Sequence, residues 1–282
     1  YLLVGRSNDY RVIVESGDIS ISIFELYLIR TYKSPFTICS GASVRLTVLG
    51  KNELQNTEED DDTAGLNVPD GAELIITEQS TGSLYAYSDE DGAGIGGNRR
   101  EKSGSITING GVITAVSGDD GAGIGGGYRG DSGPITINGG VITAISRDDG
   151  AGIGSGYNGT SGPITINGGI VTAQSDEGKA FGAAPDLSGY AAYAWRLSET
   201  ESYRQDAFTW KDTDTYTALL PVYTVTFDTV GGSVVQPQNV IYGKTVATPT
   251  NPTKVGYIFD GWYNGDTAYN FDLPVTAHLT LT

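Results

Sequence analysis

From Asp89 to Ser175 the chain states one pattern three times, and every landmark returns after 29 residues. Asp91-Gly-Ala-Gly-Ile-Gly-Gly97 recurs as Asp120-Gly-Ala-Gly-Ile-Gly-Gly126 and Asp149-Gly-Ala-Gly-Ile-Gly-Ser155. Ser105-Ile-Thr-Ile-Asn-Gly-Gly-Val-Ile-Thr-Ala-Val-Ser117 recurs from Pro134 to Ser146 and from Pro163 to Ser175. A fixed period of this size describes a solenoid, in which each unit covers the apolar face of its neighbour. Ile-Thr-Ile and Val-Ile-Thr are short, β-branched and bounded by glycines, which suits strands and would ruin a helix. Gly-Ile-Gly adds a third short extended piece. Three strands closing after 29 residues make one rung of a parallel β-helix.

Stacked rungs set identical residues above one another at ~4.8 Å. Ile106, Ile135 and Ile164 are expected to form an inward ladder, and Asn109, Asn138 and Asn167 an amide ladder at a corner. The glycine pairs 110/111, 139/140 and 168/169 are expected to supply positive φ at the bend after each asparagine.

Upstream, the same pattern is looser. Arg11–Val14, Ile19–Ile23, Leu26–Ile29, Phe36–Cys39 and Val44–Leu49 alternate like strands, followed by Gly50–Leu54, Ala64–Val68, Ala72–Thr77 and Gly82–Tyr87. Gly65-Leu66 stands 29 residues before Gly94-Ile95, and Ile38 stands 28 before Leu66, so five or six rungs are expected. Cys39, in an apolar β-branched stretch, reads as a small buried hydrophobe. Downstream, Asp176–Ala184 is a degraded copy of the Gly-Ala-Gly-Ile motif, and Tyr190–Leu220 is rich in aromatic residues of irregular spacing. A solenoid end exposes an apolar rung that must be covered. We therefore read 1–220 as a parallel β-helix with regular repeats over 89–175 and an aromatic cap over 176–220. Its expected hand is right, from the general bias of β-crossovers. From residue 221 the composition shifts to a separate small β-module over 221–282.

Charge and cysteine content narrow the function. A net charge of −17 over 282 residues disfavours nucleic acid and anionic membranes as partners. One cysteine allows no intramolecular disulfide, and no apolar run is long enough to span a membrane. The chain opens at Tyr1 and contains no methionine, which suggests a piece of something longer. Seventeen tyrosines and 41 glycines fit a β-rich exported protein.

Two resemblances follow from these residues. Val225-Thr-Phe227, Gly231-Gly232, Pro252 through Gly256-Tyr257, Phe259-Asp-Gly-Trp-Tyr263, Pro274-Val275 and Leu279-Thr-Leu281 resemble the internalin-type B-repeat, or Listeria–Bacteroides repeat. That resemblance implies a β-grasp-like module used as spacer or adhesive element on bacterial surface proteins. The family's aromatic-rich last strand ending in tryptophan has no counterpart before Thr282, and further repeats or an anchor are expected to follow. Residues 30–185 resemble Gly-rich surface β-helices of the carbohydrate-binding-domain-like type, through Ser34–Ile38, Val44–Leu54, Ala64–Gly71 and the three Gly-Ala-Gly-Ile-Gly copies. Some relatives of that fold bind calcium and plant-type polysaccharides.

Two sets of candidate site residues come from the same period. Glu90, Asp119, Asp148 and Glu177 form one acidic column, and Asp91, Asp120 and Asp149 its neighbour. Like charges ~4.8 Å apart repel by about 1 kcal/mol in water and about 3.5 at an effective dielectric near 20. Either the column is well-solvated Asp-Gly turn chemistry, or a hard cation such as calcium sits among carboxylates and glycine carbonyls. The run Glu58-Glu-Asp-Asp-Asp62 carries the same two readings.

The loops 98–102, 128–131 and 157–160 vary between units. There Arg99, Tyr128 and Tyr157 share a column, beside Arg100, Arg129 and Asn158. They are plain surface loops or a ligand edge on which tyrosines stack on sugars and arginines pair with uronate carboxylates. The lone histidine, His278, lies in the tail module, and the acids repeat from turn to turn where catalysis needs one distinct cluster.

The reading is an extracellular bacterial cell-surface protein, monomeric and non-catalytic. Its β-helix presents a surface to polysaccharide or another host or bacterial surface ligand. A passive stalk and a polysaccharide lyase or hydrolase are the alternatives.

Overall fold

The structure, a computed structural model, describes residues 1–30, 32–57 and 62–282. The described residues are all-β and form no helix, so none is long and apolar enough to cross a membrane. They divide into two compact units, Tyr1–Ala191 with Trp195–Leu219, and Ala192–Ala194 with Leu220–Thr282.

The first unit is a parallel β-solenoid of about five turns. Each rung has three faces. The first face stacks Ala42–Leu49, Glu73–Ile76, Ser105–Ile108, Ile135–Ile137 and Ile164–Ile166 in parallel. The second stacks Lys51–Asn56, Ser83–Ser88, Val112–Ser117, Val141–Ser146 and Ile170–Ser175. The third runs from Val12–Val14 and Phe36–Ile38 through Leu66–Asn67, Ile95–Gly96 and Ile124–Gly125 to Ile153–Gly154.

The expected columns form. Ile106, Ile135 and Ile164 pair in register and are all but fully buried. The amide ladder is continuous: Asn138 Nδ2 donates to Asn109 Oδ1 and Asn167 Nδ2 to Asn138 Oδ1, both at 2.7 Å. A second polar ladder lies inside the core, through Asn56, Ser88, Ser117, Ser146 and Ser175. Ser117 Oγ donates to Gly92 O at 2.8 Å, Ser146 to Asp119 O at 3.2 Å, and Ser175 to Asp148 O at 2.7 Å. These hydroxyls satisfy carbonyls of the acidic turns that the core would otherwise leave bare.

Several local expectations need correction. Gly17–Arg30 is one long strand that serves the first face with Gly17–Phe24 and the second with Tyr27–Arg30, where two strands were expected. Leu2–Ser7 is a further strand, parallel to it. Leu66 pairs with Phe36, a step of 30, and not with Ile38; the upstream loops differ in length, so no single period describes them. Only the second glycine of each Asn-Gly-Gly turn has positive φ: Gly111 at 83°, Gly140 at 92° and Gly169 at 92°. Cys39 is half-exposed at a strand end.

The last rung is covered by the segment that follows it. Phe181, fully buried, bridges to Ile153, and Asp186 bridges to Thr165. Residues 216–219 run antiparallel to Ile170–Ser175, with Val171 opposite Leu219. Tyr190 and Trp195, in the same segment, are buried, and Trp195 meets Phe208 edge-on at 5.3 Å.

The second unit is built on the distal part of strand Tyr216–Phe227. It pairs antiparallel with Gln238–Ile241 and parallel with Leu279–Leu281. The module's first and last strands thus pair in parallel, and the chain between them carries Gln238–Ile241 and a short hairpin, Tyr263–Asn264 with Thr267–Ala268. Trp262 anchors the core, edge-on to Phe227 at 5.0 Å and to Phe259 at 5.3 Å. His278 accepts the Thr224 N–H at Nδ1 and packs on Tyr223.

The third face sets the tightest constraint. At Gly125, with φ of 140°, an added Cβ would lie 1.7 Å from Gly154 O. Gly41 also has positive φ, but nothing lies within 4 Å of its Cβ position. Gly125→Ala is expected to cost about 3 kcal/mol or more, strain and clash together, and Gly41→Ala about 1. Denaturant midpoints measured on the two variants check this; equal losses would refute the close-approach argument.

Candidate functional site

The acidic turns and the variable loops lie on the same edge because backbone bonds tie them together. Arg99 N donates to Asp62 O at 2.9 Å, Tyr128 N to Asp91 O at 2.8 Å, and Tyr157 N to Asp120 O at 2.9 Å. Each loop is thus pinned to the acidic turn of the rung before it. The loops also bond each other: Arg100 N to Tyr128 O at 2.7 Å and Arg129 N to Tyr157 O at 2.8 Å. Arg100, Arg129 and Asn158 hold φ of 59°, 55° and 60°, a left-handed conformation repeated once per rung. The loops are therefore ordered parts of the ladder.

Side chains follow the same stacking. The Tyr128 and Tyr157 rings lie 6.2 Å apart at 12°. Arg99 Cζ is 5.3 Å from the Tyr128 centroid, and Arg129 Cζ 4.9 Å. Arg99 is heavily engaged: Nη1 reaches Asp62 Oδ2 at 3.0 Å and Nε reaches Asp91 Oδ2 at 2.9 Å. Asp62 sits one period before Asp91, so the acidic column starts one rung earlier than the sequence reading placed it. Residues 58–61 of the acidic run lie outside the described residues. Arg100 and Arg129 are exposed, and Tyr157 is 40% exposed.

The carboxylates converge as expected of stacked turns. Oxygens of Asp91, Asp119 and Asp120 lie within 4.8 Å of one another, as do those of Asp120, Asp148 and Asp149. This is a hard-oxygen donor set of the kind that suits calcium, and exposed acids also cluster without a metal. Glu90 begins the neighbouring column and has interactions of its own. Among the described residues, no ion pair reaches Asp119, Asp120, Asp148 or Asp149, whereas Asp91 has Arg99.

Burial pushes Asp91 up to about 6, against the pull of Arg99. Burial and then the charges of Asp119, Asp148, Asp91 and Asp149 push Asp120 to about 6. Asp119 is raised by burial and by its hydrogen bond and charge contact with Asp148.

At the downstream end, a recess of about 540 Å³ opens beside Tyr157. Asp149, Asn158, Glu177, Lys179, Asp212 and Thr215 share its wall, and Lys179 pairs with Asp212 at 2.6 Å. Lys179 and Asp212 escaped the sequence reading. Lys179 lies in the degraded fourth copy of the repeat, where a cation enters an otherwise acidic motif, and that substitution was the available signal.

The pKa directions fix a pH dependence. Between the ordinary aspartate value near 3.8 and about 6, the unfolded chain releases protons that folded Asp91 and Asp120 retain. These groups therefore make stability fall as pH rises through that window, and return it on acidification. Asp120→Asn is expected to be more stable than the parent near pH 7, with the gap closing toward about pH 4. Thermal melts across that range test it; a gap that does not change with pH would exclude the burial argument.

Comparison with known proteins agrees with this architecture. Residues 106–128, 135–157 and 164–184 match the beta helix repeat, and residues 223–282 match the Listeria-Bacteroides repeat domain. A protein of Evansella cellulosilytica, named only as a candidate membrane protein, is 33% identical over 86 residues. The match covers 29% of this chain and 13% of that relative, so the chain spans a small part of its length. No solved structure matches. Together the two repeat types mark a surface-type repeat protein: the chain is a parallel β-helix repeat protein with a C-terminal Listeria–Bacteroides repeat domain.

Proposed function

We propose that the chain is a non-catalytic, adhesin-like module of an extracellular bacterial surface protein, whose β-helix edge binds polysaccharide. The observation that carries this reading is the ordered tyrosine stack, Tyr128 on Tyr157, opening into the recess beside Tyr157. Aromatic faces held rigidly by a backbone ladder lose little entropy on binding, and they offer the flat surface that a sugar ring needs. The Listeria–Bacteroides repeat is typical of surface proteins, which supports the location.

Calcium is the second part of the proposal. Asp91, Asp119 and Asp120, and Asp120, Asp148 and Asp149, would hold it as hard-oxygen ligands, where it would offset the mutual repulsion of the column. A passive stalk is the competing reading, since the tyrosine stack also serves cohesion between rungs. Beta-helix repeats occur in polysaccharide-acting enzymes too. Repeated, near-identical acid clusters favour binding over a single catalytic centre.

The test is binding to a panel of immobilised polysaccharides with calcium and again with EDTA. Retention weakened about tenfold or more by Tyr128→Ala with Tyr157→Ala supports the glycan reading. No retention on any polymer favours the stalk, and release of soluble fragments would establish an enzyme. Calcium binding is read separately, as a rise in melting temperature near pH 7 that Asp120→Asn removes.

A further inference from the structure

Resting on the glycan reading, we infer that the recess beside Tyr157 selects sugars carrying a free amino group, and not the uronates that the arginine column suggested. None of the candidate arginines lines the recess. Arg99 is held by Asp62 and Asp91 at 3.0 and 2.9 Å, and Arg129 lies over the Tyr128 ring. In the rung that faces the recess, the positions equivalent to Arg99 and Arg100 are Tyr157 and Asn158. The one cation on the wall, Lys179, is paired with Asp212 at 2.6 Å.

What remains, when calcium does not occupy the set that shares Asp149, is an aromatic face and two carboxylates, Asp149 and Glu177, with no ion pair among the described residues. At about 540 Å³ the recess falls in the range of ordinary small-ligand sites. A uronate carboxylate brought there meets like charge with no counter-ion. A glucosamine-type ring meets both of its needs: the apolar face of the sugar lies on Tyr157, and its ammonium is received by Asp149 and Glu177. An N-acetylated ring keeps the first contact and loses the second. The overall charge of −17 favours the approach of a cationic polymer, but long-range attraction is blind to the ring. Specificity has to come from the recess.

The experiment therefore uses short soluble oligosaccharides at physiological ionic strength: glucosamine, N-acetylglucosamine and galacturonate tetramers, with tetralysine as a cation lacking a sugar face. Calorimetric titration is run in EDTA, so that calcium does not occupy Asp149, on the parent chain, on Asp149→Asn with Glu177→Gln, on Tyr157→Ala, and on Asp9→Asn with Glu15→Gln, which removes the same charge from the first rung. The expected result is glucosamine binding at least tenfold tighter than the other sugars. It should be lost in Asp149→Asn/Glu177→Gln and in Tyr157→Ala, and retained in the first-rung control. Thermal melts confirm that each variant is folded.

Three results would overturn the inference. Tight binding of N-acetylglucosamine or galacturonate that needs Tyr157 but not the acids leaves the glycan reading standing and removes the amino-sugar selectivity. Equal binding of tetralysine, or equal losses in the first-rung control, reduces the effect to net charge. No binding of any sugar takes the glycan reading down with it.

Discussion

Everything in the first unit depends on in-register parallel stacking. A strand two residues long, such as Ile95–Gly96, has almost no hydrogen bonding of its own and exists only because Leu66–Asn67 and Ile124–Gly125 bracket it. Closing the rung on that face brings backbone against backbone, and the Gly125–Gly154 approach leaves no room for a Cβ. Glycine there is demanded by contact as much as by dihedral angle. The cost in unfolded-chain entropy, about 0.5–1 kcal/mol per glycine relative to alanine, is met by the ladder it permits.

The same stacking imposes its own difficulty. A residue chosen for one rung is repeated at ~4.8 Å in the next, so each column must tolerate a copy of itself. Amides gain from this: Asn109, Asn138 and Asn167 each offer a donor and an acceptor, and the chain of 2.7 Å bonds can continue through any number of rungs. Serine works inside the core for a related reason, since one hydroxyl satisfies the turn carbonyls, as Ser117 does for Gly92. Carboxylates have no such solution. Asp120 is raised to about 6, first by burial and then by the four other acids around it.

These differences explain how much was legible in the sequence. Where loop lengths are equal, the rungs, their inward isoleucines and the asparagine ladder follow from spacing alone. Upstream they do not, because Leu66 pairs with Phe36 across an insertion that hydrophobic alternation cannot locate. The columns of candidate residues were likewise readable: Arg99, Tyr128 and Tyr157 do share one edge. What side chains do within a column was less accessible. Nothing in the spacing says that Arg99 would turn toward Asp62 and Asp91, since each of these contacts crosses between columns. The recess was hidden altogether, as part of its wall comes from residues 212–215, where the repeat has ended.

The ends of the acidic column are the places where symmetry is broken, and a cation stands at each, though only the upstream one pairs with the column itself. Arg99 neutralises the upstream end through Asp62 and Asp91; Lys179, with Asp212, stands at the downstream end. Between them the position of Arg99 is taken by Tyr128 and then Tyr157, and the counter-ion is gone while the acids persist. An arginine in each rung would have made a continuous salt-bridge ladder like the asparagine one, with less repulsion. The tyrosines exchange that charge compensation for a flat aromatic surface and leave Asp119, Asp120, Asp148 and Asp149 facing one another. For a rigid stalk the exchange adds cohesion between rungs through the tyrosine stack but leaves the acids uncompensated. On the binding reading proposed above, an aromatic face beside uncompensated carboxylates leaves the charge balance to be completed from outside, at this stretch of the edge and not at the better-neutralised rung above it.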